Sequence, residues 1–392
     1  IVKTIMTLIA FIAFEVFMIF YTKQPEYMWA QSINLVAVAF DISWFYEGIE
    51  DFKVTVLKNS FVKIVSMIAI FIFIKGPNDV TLYIAVLAIS TLLGNLTLWP
   101  NIRRDLPKVN FKSLNPWPHF LPMVELFVPQ IAIQVYVQLN RTMLGVMVNE
   151  TSAGFYQYSD SLVKMTLALV TATGTVMLPH VANAFSQGDM NKVNKMLYKS
   201  FDFVSAMAYP MMFGLAAISL TLAPKYYGPG YGPVGQAMFI ESIVILMIGW
   251  SNVLGVQYLL PIHKQKEFTI SVTLGAIVNL ILNIPLIKMW GLNGAMIATS
   301  IAEFSVTLYQ LFIVKRSLSL KDLFHGSWKY FISGLIMFIV VFWMNRNLKD
   351  SWLMMGLEVI VGVVIYGILV LILKAPIVYE ARDLIVDKLK NE

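Results

Sequence analysis

The chain contains no cysteine, so disulfides, thiol nucleophiles and Cys-bound metals are excluded. Charge is scarce as well. Asp, Glu, Lys and Arg make up 13% of the 392 residues, where a soluble domain carries about 25%. There are four histidines, His119, His180, His263 and His325, too far apart in sequence to pair as metal ligands. The phosphate-gripping pattern G-x-x-x-x-G-K-[ST] is absent, and so are G-x-S-x-G and H-E-x-x-H. Their absence removes a P-loop ATPase and the familiar serine and zinc hydrolases. The chain begins at Ile1, without an initiator methionine.

What fills the chain instead is apolar. Hydrophobic residues reach 58% and the mean hydropathy is +0.71, the composition of an integral membrane protein. A spanning helix needs about 20 apolar residues. Twelve such runs can be read, centred on 3–21, 28–47, 57–75, 79–99, 121–148, 154–179, 199–223, 233–260, 268–288, 292–314, 328–345 and 351–373. The first is too long for a signal-peptide core. Of the 29 lysines and arginines, 21 fall on the flanks that are cytoplasmic if the N-terminus is inside. That bias predicts both chain ends in the cytoplasm, and it accounts for the net charge of +6 without nucleic acid. The outer loops are short, which leaves no room for an external catalytic loop of the kind a membrane polymerase needs. Two stretches, 50–90 and 264–304, share the layout charged loop, span, short turn, span, a candidate internal repeat. The tail "PIVYEARDLIVDKLKNE" reads as a solvated or surface-lying helix.

Polar residues inside the spans form stripes. In "VPQIAIQVYVQLNRTMLG" the side chains of Gln130, Gln134, Gln138 and Arg141 share one helical face. The next span carries Gln157, Ser161, Lys164 and Thr171 on one face, with Asp160 four residues before Lys164. At 1.5 Å per residue, Arg141 and Lys164 lie roughly 12–17 Å below the outer surface. Two mid-depth cations on adjacent antiparallel helices suit an anion, with the glutamines lining an aqueous cavity. The plainer alternative is that Arg141 snorkels outward and Lys164 only pairs with Asp160. Asn279 and Asn283 lie along one face with Gly275, and Glu303 lies with Ser300, Thr307 and Gln310. These stripes are either site-lining or helix-packing glue. Asp41, Asp160, Glu241 and Glu303 are the candidates for coupling to an ion gradient, because intramembrane carboxyls are costly to keep.

"DISWFYEGIEDFKVTVLKNSFVKI", "VPQIAIQVYVQLNRTMLG", "AGFYQYSDSLVK", "GTVMLPHVANAFSQGDMNKVNKMLYKSFDF" and "GVQYLLPIHKQKEFTISVTLGAIVNLILNIPLIKMWGLNGAMIATSIAEF" follow one another in the order of a known family. From about residue 30 to 315 the chain resembles the Wzx-type polysaccharide repeat-unit flippases of the multidrug/oligosaccharidyl-lipid/polysaccharide exporter superfamily. The resemblance implies an all-α, two-lobed, V-shaped exporter fold with no catalytic residues and no cofactor. It implies alternating access and a substrate of undecaprenyl-diphosphate-linked oligosaccharide, taken from the membrane lipid phase of the bacterial cytoplasmic membrane, with a polysaccharide polymerase as a candidate partner. Fourteen spans are expected of the family against twelve here. The division expected is therefore 1–112 as a first lobe of four helices, lacking two, 113–315 as a six-helix lobe, and 316–392 as two extra helices and a tail. Two residues depart from the pattern. Asn140 stands where Asp is expected and His180 where Arg is expected. Lipid II flippases, teichoic-acid flippases and drug or cation antiporters share this fold and remain alternatives.

Overall fold

The structure is a computed structural model and describes residues 2–20, 24–48, 51–102, 138–348 and 351–379. Among them every regular element is helical, as expected of an all-α membrane protein. The chain falls into two compact units, Ile1–Leu126 and Phe127–Glu392, and each is described by itself.

The first unit contains α1 (Val2–Phe20), α2 (Pro25–Ala39), α3 (Phe52–Phe73) and α4 (Val80–Leu96). Pro25 starts α2, where a missing N–H costs nothing. The turn between α3 and α4 is closed by Asp79, whose carboxylate accepts the N–H groups of Lys75 and Gly76 at 2.8 and 3.1 Å. Polar side chains then join the helices. Asn95 donates its amide to the Ala37 carbonyl at 2.7 Å, and the Tyr46 hydroxyl donates to the Leu98 carbonyl at 2.7 Å. Gly94 lets α4 approach α3 closely, since a Cβ there would stand 2.0 Å from Val62 Cγ2. The apolar surface faces outward. Phe20, Phe71 and Ile72 are 79%, 76% and 56% exposed, a pattern that suits lipid as the surrounding solvent.

In the second unit α5 (138–147) turns into α6 (Glu150–Thr171), with Asn149 capping α6 by accepting the Ser152 N–H at 2.8 Å. A break at Ala172 leads into α7 (Thr173–Ser186). The 38-residue α8 (Met190–Tyr227) is the central post and packs against α7, α9 and α12. Next, α9 (Gly232–Leu259) is interrupted at Ser242 and ends in a π-helical turn, Asn252–Leu259. The 50-residue run Gln265–Val314 folds back at Gly291 (φ 53°, ψ −125°), a backbone that only glycine adopts readily. Its two arms, α10 before Gly291 and α11 after it, lie antiparallel. Gln310 donates to Ser271 Oγ at 3.0 Å, and Gly275 faces Val306. Finally α12 (Ser327–Asn347) and α13 (Trp352–Ile372) lean on α8. The Asn345 amide ties all three together, donating to Thr221 Oγ1 at 2.7 Å and to Glu358 Oε2 at 2.8 Å. The core of this unit is aromatic as well as aliphatic. Phe201 stacks on Trp250 at 5.5 Å, and Phe324 meets both rings edge-on.

Eight helices among the described residues are long and apolar enough to cross a membrane, counting the folded-back run as one. The protein is thus a multi-pass membrane protein. Among the described residues the sequence count of twelve is not reproduced: the runs 268–288 and 292–314 count as one here, α2 has only 15 residues, α6 is diluted by its polar stripe, and most of the span 121–148 lies outside the described residues. Residues 380–392 of the tail lie outside them too.

The hairpin of α10 and α11 gives a direct test. A Cβ on Gly294 would stand 1.9 Å from the Leu286 carbonyl oxygen, a backbone atom that cannot step aside. Gly294→Ala should cost about 1–3 kcal/mol in unfolding measurements on reconstituted protein. Gly154→Ala is the control. Nothing lies within 4 Å of its added methyl on α6, so the change should be neutral or stabilising by up to about 1 kcal/mol.

Asp41 lies in the turn beyond α2. Burial pushes its carboxyl up, but the Ser43 hydroxyl and N–H, with Lys58 and Lys3, outweigh burial and hold it below the ordinary value. A carboxyl lowered on folding stabilises above its unfolded value of about 3.9. That contribution is lost as pH falls through the folded value. The stability difference between wild type and Asp41→Asn should therefore be full above about pH 4 and shrink below it. Thermal unfolding across that range checks the sign.

Candidate functional site

The residues singled out in sequence separate into three groups. Gln130 and Gln134 lie outside the described residues. Asp41 belongs to the first unit, where it serves the turn after α2. The remainder lie in the second unit, built around α5, α6, α9, α10 and α11.

Asp160 is the centre of this arrangement. It is 6% exposed, and a single oxygen, Oδ2, accepts both cations. Lys164 Nζ donates at 2.9 Å, one helical turn along α6, and Arg141 Nη2 donates from α5 at 3.4 Å. Arg141 Nη1 also reaches Gln138 Oε1 at 3.4 Å, and Arg141 Nε is buried with no partner among the described residues. Both guanidinium contacts are long, so the group is held but under-used. The cations occupy the accessible side, with side chains 27% exposed for Arg141 and 48% for Lys164. Gln157 shares this side and donates to Ser161 Oγ at 2.8 Å.

Behind Asp160 is a cavity of about 300 Å³. Asp160, Lys164, Glu241 and Glu303 line it, with Asn140, Tyr156, Asn252 and Thr299. Arg141 is not among the lining residues; it reaches Asp160 from the side. Glu241 is 1% exposed. It accepts the Ser159 hydroxyl at 2.7 Å and lies against the Asp160 carboxyl. Three of the four candidate coupling carboxyls therefore share one cavity, brought there by three different helices. No group of three or more metal-ligating side chains exists among the described residues.

Asn279 and Asn283 are fully buried and lie outside the cavity lining. The Asn283 amide donates to Asn140 Oδ1 at 2.5 Å and to Asn279 Oδ1 at 2.8 Å. Asn140 in turn donates to the Tyr156 hydroxyl at 2.7 Å and to Thr299 Oγ1 at 3.0 Å. A neutral network thus fastens α5, α6, α10 and α11 together. Sequence reasoning singled out Asn140 only as a departure from a family pattern and missed Tyr156 and Thr299. Tyr156 sits in an aromatic run with no polar periodicity to mark it. The partners of Asn140 are 16 and 159 residues distant, so spacing carried no signal.

Replacing Asn140 removes one hydrogen bond from each of three buried groups, Asn283, Tyr156 and Thr299, which keep a second partner each; a lost bond costs about 0.5–1.5 kcal/mol. Asn140→Leu should lower stability by more than about 2 kcal/mol, whereas Gln157→Ala, on an accessible face, should stay within about 0.5 kcal/mol. Denaturant unfolding in mixed micelles measures both.

Comparison with known proteins follows the same lines. The family described as "Polysaccharide biosynthesis protein" matches residues 1–185. A putative O-antigen transporter of Shigella dysenteriae is 24% identical over 298 residues, 72% of this chain and 71% of the relative. The lipid II flippase MurJ of Bacillus subtilis is 24% identical over 161 residues, 41% of this chain and 30% of the relative. Among solved structures, the lipid II flippase MurJ in an inward closed conformation superposes with a TM-score of 0.80 at 19% identity. That match covers 98% of this chain and 83% of the other, and it establishes the fold. Family model, relatives and fold point the same way: over residues 1–185 the chain is similar to the polysaccharide biosynthesis proteins, over most of its length to putative O-antigen transporters, and it shares the fold of a lipid II flippase.

Proposed function

We propose that this protein flips undecaprenyl-diphosphate-linked oligosaccharide repeat units across the bacterial cytoplasmic membrane, both chain ends being cytoplasmic. The observation that carries the proposal is the pairing of Arg141 and Lys164 on one side of Asp160. A diphosphate leaving water needs positive charge in compensation. These two side chains supply it within a helical unit, and neither is buried beyond reach. Gln138, Gln157 and Ser161 stand beside them as exchangeable hydrogen-bonding groups for sugar hydroxyls. The lipid tail stays in the bilayer, no bond is made or broken, and rocking of residues 1–112 against 113–315 carries the headgroup over. The similarity to a putative O-antigen transporter and to a lipid II flippase supports a lipid-linked glycan. The sugar and the pathway are open to the same test.

A second reading has its own observation. Asp160, Glu241 and Glu303 line the cavity with one lysine, the lining expected for a cation antiporter of this fold. In the flippase reading these carboxyls lie behind the cations and serve ion coupling.

Replacing Arg141 or Lys164 by alanine removes a charged hydrogen-bonding group worth about 1.5–3 kcal/mol. Headgroup affinity should fall about tenfold or more for each single variant. Arg141→Lys should rescue in part, keeping the charge and losing the planar fork. The assay is surface polysaccharide export normalised to membrane protein level. Normal export from the Arg141→Ala, Lys164→Ala double variant rejects the diphosphate site. Retained proton-driven efflux of a cationic dye by that variant favours the antiporter.

A further inference from the structure

An accessible cation pair inside a membrane protein meets a difficulty that the flippase reading leaves unanswered. Anionic phospholipids are abundant, and each brings a phosphodiester carrying one negative charge. Arg141 and Lys164 would attract them all. We infer that Asp160 is a specificity-determining residue, a built-in competitor that keeps singly charged phospholipid headgroups off the cation pair and yields only to a diphosphate. The inference rests on the proposed flippase reading and deepens it.

The geometry supports it at four points. First, both cations converge on one carboxylate oxygen, Oδ2, so Asp160 satisfies them at a single point, as a small anion does. Second, Asp160 is 6% exposed and lies against Glu241. A guest that takes the cations away leaves a buried carboxylate beside a second carboxyl, and that loss must be repaid. Third, a phosphodiester offers one charge in exchange for one, so the swap gains nothing against the cost of stranding Asp160. A diphosphate diester carries two charges on two phosphoryl groups, and it can engage the lysine and the guanidinium together. Fourth, Arg141 has spare capacity for such a guest. Its two contacts are 3.4 Å long, and its Nε has no partner among the described residues. The planar guanidinium fork is suited to bidentate phosphate binding.

The alternative is that Asp160 is a structural partner that merely orients the two cations. The two roles differ in what they predict for discrimination. A structural Asp160, once removed, weakens every anion alike. A competitor Asp160, once removed, strengthens the singly charged guest most, since that guest was the one excluded.

The test uses the full chain in nanodiscs of neutral lipid and two probes, undecaprenyl diphosphate carried as its sugar diester and phosphatidylglycerol. Bound undecaprenyl diphosphate is displaced by increasing phosphatidylglycerol and read by native mass spectrometry. Wild-type protein should require about tenfold or more excess of phosphatidylglycerol over undecaprenyl diphosphate for half displacement. Asp160→Asn should lower that excess about tenfold while tightening undecaprenyl diphosphate itself. Asp160→Ser serves as a second neutral variant if the asparagine protein unfolds, and Asp160→Glu should restore discrimination. Half displacement of wild type at equal concentrations overturns the inference without any variant. An unchanged ratio in Asp160→Asn, or an equal weakening of both lipids, overturns it and leaves the flippase reading standing. Wild-type protein that holds neither lipid overturns the flippase reading, and the inference with it.

Discussion

A carboxylate buried among packed helices must be compensated, and Asp160 dictates much of what surrounds it. Ionised and alone it would cost several kcal/mol, so two cations are held against it, one from its own helix and one from α5. This fixes the relative rotation of α5 and α6, because the Arg141 and Asp160 side chains meet only when both faces turn inward. It also fixes α9, since Glu241 must lie against Asp160 while accepting the neighbouring Ser159 hydroxyl. One charged group therefore sets the register of three helices, and the site forms where they meet. The separation of sign follows from solvation. Lys164 and Arg141 have long stems that can carry charge toward water. The Asp160 and Glu241 side chains do not reach it and remain inside.

The neutral amide network does the complementary work. Asn140 lies one residue before Arg141 and projects to the other side of α5, where it bonds to α6, α10 and α11. Helices surrounded by lipid gain no hydrophobic free energy from meeting one another, so close packing and interhelical hydrogen bonds have to hold them. Gly275 and Gly294 supply the close approach, and the asparagines supply the bonds. With α5 gripped from behind by Asn140, Arg141 in front is held against Asp160 by the rigidity of the helix as well as by its charge.

How much of this was legible in the sequence depends on the distance over which each signal acts. Membrane class followed from composition, and most span positions followed from apolar runs. The pairing of Asp160 with Lys164 was visible as an i, i+4 spacing, and it appears at 2.9 Å. Glu241 and Glu303 stood out because acids within apolar runs are rare. That they share a cavity with Asp160 was not legible, because it depends on how α6, α9 and α11 rotate against each other. Asn283 shows the limit in the other direction. Its stripe with Asn279 and Gly275 was visible, but a stripe of small and polar residues marks a water-lined wall and a helix contact equally well. Only the partner across the gap, Asn140, decides which, and that partner lies 143 residues away. α6 weakened the span count because its polar content is what equips it, and α2 because it has only 15 residues.

The irregular helix segments complete the picture. Glu241 is the last residue before the interruption of α9 at Ser242, and Asn252 opens its π-helical turn. Both line the cavity, as do Val244, Ile248 and Ser251 on the short helix between them. That wall is one helical piece hung between two irregular turns, and its free polar groups are met from outside. Thr307 of α11 donates to the Met247 carbonyl at 2.9 Å. Gln257 bonds Ser200 and donates to Asn252 Oδ1 at 3.1 Å. Gly174, just past the break at Ala172, leaves no room between α7 and Asn252, for a Cβ there would stand 2.6 Å from Asn252 Oδ1. Departures from regular helix are costly in a membrane unless other protein groups satisfy the released backbone. Here a side chain meets the Met247 carbonyl, side-chain bonds brace the π-helical turn, and the breaks fall at the two ends of the cavity wall.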